Sequence, residues 1–309
     1  SNRDVFAEKS VKYDIGADVR LWKNLEVELN FFLDKRSGIL TRDNMIPSAA
    51  GAPESYKNIG EVTNKGYEAT LAYSGKASRF GYSVKAMVSY NTNEIDYMAE
   101  AVTVASAAAT GHPINTPFGY QGDGFYDITD FNPDGSLKEG MPVPTFGFVQ
   151  PGDIKYKDLF GDGVIDENDK TKIGDASMPK YNFALQLGFS WRNLDLFALF
   201  QGVAGRDVNL LNTPQARAFV NNGNVYEIAK DRWVYYPEQG IDTRSTAKFP
   251  RLSLQDNNNN YQPSTFWMCN GDFLKLRNLE LGYSLPKRWL GKIRIESARI
   301  YVNAVTCSK

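Results

Sequence analysis

The densest cluster of side chains able to do chemistry is Asp158-Leu159-Phe160-Gly161-Asp162-Gly163-Val164-Ile165-Asp166-Glu167-Asn168-Asp169. Read as an EF-hand-type loop, it places Asp158, Asp162 and Asp169 at positions 1, 5 and 12, with a turn glycine, Gly163, at 6. Val164 offers a carbonyl at 7 and Asp166 an oxygen at 9. Hard oxygens at that spacing suit Ca²⁺, so calcium is the one cofactor expected, held by Asp158, Asp162, Val164, Asp166 and Asp169. Phe160, at position 3, has nothing to ligate with, and Asp169 is shorter than the usual Glu. The same run also reads as an Asp/Gly-rich turn held by Asx hydrogen bonds.

Other chemistries find little support. The single histidine, His112, lies in Gly111-His112-Pro113-Ile114, which reads as a structural turn. No G-x-S-x-G elbow accompanies it, so a Ser-His-Asp hydrolase finds no support and no enzyme is expected. Cys269 and Cys307 are far apart and form no CxxC pattern, so they suggest neither a zinc site nor a disulfide scaffold. With 35 Lys+Arg against 36 Asp+Glu, the chain lacks the basic excess of a nucleic-acid binder. Three aromatic clusters remain: Tyr120, Phe125 and Tyr126; Trp233, Tyr235 and Tyr236; Tyr261, Phe266 and Trp267. Flat apolar faces stack on sugars or hold peptide side chains, making the first six candidate substrate-binding residues. Packing inside long loops would use the same residue types. The tract Asn257 to Asn260 reads as a polar loop with no assigned role.

The elements that would carry these loops show period-2 alternation. Val11, Tyr13, Ile15, Ala17, Val19 and Leu21 alternate with polar or small residues. Leu25 to Leu33 returns after Lys23-Asn24, with Phe32 alone off the pattern. Tyr67 to Tyr73 pairs with Phe80 to Tyr90, Tyr181 to Trp191 with Leu194 to Phe200, and Phe273 to Leu285 with a strand near Ser297 to Thr306. Eight strands are expected. Their connections alternate short and long, the long ones spanning about 34–65, 91–180 and 203–270. Outer-membrane barrels put short turns at one end and long extracellular loops at the other. Tyr181 to Trp191 makes ten steps of roughly 3.4 Å. Tilted by about 45°, that covers about 24 Å, the height of the apolar band, with aromatics at both ends. The expectation is therefore an all-β fold, part of a large antiparallel transmembrane barrel. Val11, Ile15, Val19, Leu29, Leu71, Val84, Leu185 and Leu187 would face lipid, while Asp14, Glu26, Glu28 and Lys85 face a polar lumen. The alternative is a soluble cell-surface β module that binds carbohydrate through its aromatic loops. No run of 18 apolar residues forms a transmembrane helix, and Ser1 to Ser10 lacks the apolar core of a signal peptide.

Several stretches resemble the C-terminal part of the SusC/RagA family of TonB-dependent outer-membrane transporters. They are Glu8 to Gly16, Asn58 to Glu68, Gly152 to Asp158, Gly161 to Asp166 and Phe273 to Pro286, in the family's order across nearly the whole chain. Two departures stand out: Phe160 replaces the usual Asn, and Val302 to Cys307 lacks an Asn-Leu pair. The resemblance implies a barrel of about 22 strands with a plug, of which this chain would be a C-terminal third without the plug and the first strands. It also implies import of a glycan or peptide captured by a SusD/RagB-like surface lipoprotein. Energy would come from TonB-ExbB-ExbD through the absent N-terminal part.

Overall fold

The computed structural model describes residues 5–42, 56–100, 105–220, 223–290 and 295–306. Cys307 and residues 43–55 of the first long connection lie outside them. The chain divides into two compact units.

The first unit is one eight-stranded antiparallel sheet in simple meander order. Its strands are β1 (Lys9–Leu21), β2 (Leu25–Arg42), β3 (Tyr56–Ala77), β4 (Phe80–Tyr97), β5 (Tyr181–Trp191), β6 (Leu194–Ala204), β7 (Phe273–Ser284) and β8 (Arg299–Val305). Short turns join β1 to β2, β3 to β4 and β5 to β6, and the connection 285–298, with a short helix at Lys287–Leu290, joins β7 to β8 at the same end. The turns are tight enough to hold Trp22, Lys23, Ser78 and Arg192 at positive φ. The alternation read from the sequence gives the observed sidedness. One ladder row joins Val19, Val27, Leu71, Ala86, Leu185, Phe200 and Leu276, and the next joins Leu21, Leu25, Tyr73, Val84, Leu187, Ala198 and Leu279. All eight residues expected to face lipid share this face. Among the described residues no second sheet covers it within the unit, and Ile15 is 73% exposed. A soluble sandwich would bury such a face.

The expected long loop at 34–65 is largely strand. β2 runs on to Arg42 and β3 begins at Tyr56. This arm hides its period because the register shifts between Arg36 and Ile39 and again at Leu40, near Gly38 at φ +66°. Its 22-residue β3 extends about 70 Å at the strand rise, well over the height of an apolar band. Strand beyond that band needs no apolar face, so DKR and TNK sequences suffice. Phe32 breaks the pattern for a local reason. It lies on the opposite face, where its ring covers Gly66; a Cβ there would come within 2.5 Å of it.

The second unit comprises Glu100–Ser177 and Asp207–Asn270, so the two longest connections fold together as one body. It is built of two-stranded ladders and 3₁₀ turns around a core of Tyr120, Ile154, Tyr156, Ile165, Leu211 and Trp267. Among the described residues, no helix is long and apolar enough to cross a membrane; β-barrels cross with strands.

Candidate functional site

The sheet's two faces differ in what they can bind. Around the apolar belt, aromatic rings form two rows. Phe31, Tyr67, Tyr90 and Tyr181 lie side by side towards the long connections, with centroids 6.3, 5.5 and 4.7 Å apart. Towards the short turns, Tyr73 meets Tyr82 at 5.8 Å and Phe80 meets Phe189 at 6.2 Å. Two such rows are the interfacial girdles of a membrane barrel.

The other face carries the polar rows. Gly16, Asn30, Glu68, Ser89 and Asn182 form one, and Asp18, Glu28, Thr70, Met87, Ala184 and Gln201 the next. Asp14, Glu26 and Lys85 share this side. A hollow of about 430 Å³ opens there, lined by Gly16, Asp18, Glu28, Asn30, Glu68 and Thr70. A polar face opposite an apolar one is the sidedness of a barrel strand that separates lipid from a polar interior.

The second unit assigns the aromatic clusters differently from the sequence expectation. Tyr120, Tyr126 and Trp233 are buried and present no open face to a ligand. Tyr120 packs against Phe146 at 5.2 Å and Tyr156 at 5.5 Å. Trp233 lies so close to Gly152, at φ +88°, that a Cβ there would sit 2.6 Å from its ring. Burial pushes the Tyr126 phenol up to about 12, with the Asp130 and Asp153 charges adding to it. Phe125 is half-buried edge-on to Phe266 at 5.6 Å. Tyr235 is half-buried with the Arg244 guanidinium 4.0 Å above its ring, and Arg244 is held by Asp242 and Asp127. Only Tyr236 of the six is exposed. Of the third cluster, Trp267 is buried, and Tyr261 and Phe266 pack against the core. The cause is the ordinary one: long ordered connections need a core of their own, and aromatic residues bury the most area per side chain.

That core is closed by a polar knot around Asp153. Asp153 is fully buried, and Arg251 Nε lies 2.7 Å from its Oδ1. Asn257 and Asn260 donate to the same oxygen at 2.9 and 3.0 Å, and the Gln150 N–H donates to Oδ2 at 2.8 Å. Asn260 also accepts the Ile154 N–H at 2.8 Å. Asn259 donates to the Ile154 carbonyl at 2.8 Å and accepts the Tyr156 hydroxyl through its own carbonyl at 2.7 Å. The tract read as a polar loop without a role thus staples one connection to the other. Its signal was available in Gly152-Asp153-Ile154, one of the stretches that carry the family resemblance. No sequence signal pointed to Arg251.

In the Asp-rich loop the carboxylates turn inward to the backbone. Asp158 accepts the N–H groups of Gly161 at 2.5 Å and Gly163 at 2.8 Å, and these bonds hold its carboxyl below the usual range. Asp162 accepts from Val164 at 3.0 Å, and Asp166 caps a 3₁₀ turn by accepting from Asn168 at 2.8 Å. Buried Asp169 accepts from Leu159, Phe160 and Asp166 at 2.7, 3.0 and 2.9 Å. Among the described residues, no three acidic, histidine or cysteine side chains converge as metal ligands. The five expected calcium ligands therefore do not form a cage in this arrangement, and the loop has the geometry of its alternative reading, an Asx-bonded turn. His112 packs edge-on to Phe118 at 5.5 Å beside Gly111 at φ +84°, as a turn residue does.

With these features in place, the chain can be set against known proteins. No family model matches it. It is 25% identical to TonB-dependent receptor P3 of Formosa agariphila over 318 residues, and to TonB-dependent receptor P26 of the same organism over 315. Each match covers 98% of this chain, and the chain spans 30% of the length of these curated relatives. Among solved structures, the RagAB peptide importer superposes in its closed-closed state with a TM-score of 0.63 at 19% identity, covering 96% of this chain and 31% of that one. Its open-open state gives 0.64 at 18% identity, covering 99% and 32%. The sequence matches bear out the resemblance along nearly the whole chain, and the fold is that of part of an outer-membrane transporter barrel.

Proposed function

We propose, from the premise that this chain is part of a SusC/RagA-family TonB-dependent transporter of the outer membrane, that the whole protein imports a glycan or peptide. The observation that carries this reading is the sheet itself. One face is an exposed apolar belt between two aromatic rows, and the other is a polar wall. A carbohydrate-binding module working in water would pay heavily to leave eight strands of apolar surface uncovered.

In this reading the chain does no covalent chemistry on its cargo. Asp18, Glu28, Asn30, Glu68 and Thr70 line the path, and parts of the protein outside this chain, driven by TonB, open it. A SusD-like lipoprotein would meet the long connections. Side chains exposed there, Phe148, Phe160, Tyr236 and Leu254, supply the apolar contact that buried Tyr126 and Trp233 do not. The test is purification of the full-length protein from its native host in mild detergent. The expected result is recovery with a lipoprotein across more than about 2,000 Å² of interface. Recovery alone, or extraction without detergent, would overturn the reading.

A further inference from the structure

The short-turn end of the sheet carries a repeated pairing of a cation with an exposed aromatic ring. Trp22 stands beside Lys23, Arg79 beside Phe80, Trp191 beside Arg192, and Arg288 beside Trp289. Trp22 is 81% exposed, and Trp191 and Trp289 about half exposed. The antiparallel order places all four turns at one end. Two pairs are organised further: the Arg192 guanidinium lies 4.8 Å over Trp191 and that of Arg288 5.9 Å over Trp289. The Arg192 N–H donates to the Arg79 carbonyl at 3.2 Å, bringing two of the turns together. Lys76 and Lys287 add charge at the same level. Among the described residues at this level, Glu296 is exposed, while Glu26 is engaged by Arg20, and Asp195 and Glu280 by Arg299. A chain of net charge −1 thus concentrates unpaired cations on one rim. A hollow of about 840 Å³ opens there, lined by Trp191, Arg192, Tyr283, Lys287, Arg288 and Arg299, with Glu296 as a single carboxylate against four cations.

We infer that this rim binds the headgroups of anionic phospholipids in the adjoining leaflet, with the hollow beside Arg192 and Arg288 as the preferred seat. The rim continues the apolar belt through Phe189, Trp191 and Tyr283, so it sits where acyl chains end and headgroups begin. Tryptophan and tyrosine favour that level because one end of each ring system is apolar and the other wet. Fixed guanidiniums bind phosphate through paired N–H donors, and a neighbouring ring holds them without neutralising them. A zwitterionic headgroup brings its own cation and gains less from such a rim; a net-negative one gains at every turn.

The inference rests on the outer-membrane reading, and the experiment separates the two. The full-length protein is incorporated into nanodiscs of zwitterionic lipid containing a fixed fraction of phosphatidylglycerol. The lipid retained after exchange into detergent is then quantified. Enrichment of the anionic lipid over bulk, severalfold at low salt and falling as salt rises, is expected. Arg79→Gln/Arg192→Gln/Arg288→Gln should bring it to parity, each cation being worth at most about fivefold near an anionic surface. Lys35→Gln/Lys65→Gln, at the far end of the strands, should leave it intact. Parity in the wild-type protein, or full enrichment in the rim variant, overturns the inference. So does inorganic phosphate protecting the protein in purely zwitterionic nanodiscs as well as the anionic lipid does, because the site would then be one for free anions. If the rim variant fails to fold, the salt dependence of the wild-type enrichment decides. Failure to enter nanodiscs at all would instead remove the outer-membrane reading, and this inference with it.

Discussion

The Asp158 carboxylate accepts the backbone N–H groups of Gly161 and Gly163. Six of the positions from Asp158 to Asp169 fit a calcium loop, yet the oxygens that would ligate accept backbone N–H groups instead. The two readings respond differently to acid and to chelator. The Asp158 carboxyl is held low by the Gly161 and Gly163 amides, so its contribution is present above the ordinary carboxylate range and is lost as pH falls through the lowered value. The 158–169 segment should therefore keep its proteolytic resistance from neutral pH down to about pH 4, the ordinary Asp range. Below that it should begin to loosen, and Asp158→Ala should loosen it at neutral pH. EDTA should change nothing; nicking that accelerates with EDTA and is reversed by calcium would reinstate the metal site.

At the scale of elements, alternation was legible wherever a strand separates lipid from a polar wall, because there every second residue is forced to be apolar. The eight strands, their order and their sidedness follow from that one pressure. Where it is absent the pattern fades: the β2–β3 arm carries charges on both faces and two register shifts, so nothing in DKRSGILTR marks a strand. Leu185 sits mid-strand in the apolar rows between Ala86 and Phe200. Leu185→Arg should cost about 2–4 kcal/mol in folding into lipid vesicles, the figure for a cation near the bilayer midplane. Thr70→Arg lies on the opposite face beside Glu28 and should cost under about 0.5 kcal/mol, as surface changes do. Equal costs on both faces would contradict the assigned sidedness.

For the whole molecule, the aromatic clusters and the asparagine tract were visible as residues but not as partners. Joining Gly152-Asp153-Ile154 to Asn257–Asn260 requires a contact across about a hundred residues, and no local period encodes it. What the knot achieves is to make two connections one body, so that an event in either is felt in both. Asn260 reaches across it in three directions: it accepts from Ile154, donates to Asp153, and gives its carbonyl to the Trp267 indole N–H at 2.8 Å. Asn260→Ala would orphan the Ile154 amide and weaken the solvation of a buried carboxylate, at about 1–3 kcal/mol for each group left unpaired. The loss should therefore appear in the other connection. Hydrogen exchange at the Ile154 and Tyr126 amides should speed up by at least tenfold, one factor of ten for each 1.4 kcal/mol. Asn258→Ala, two residues away but exposed, should leave both rates unchanged. If instead the disturbance stays within residues 257–267, the connections fold independently and the knot is a contact between two finished loops.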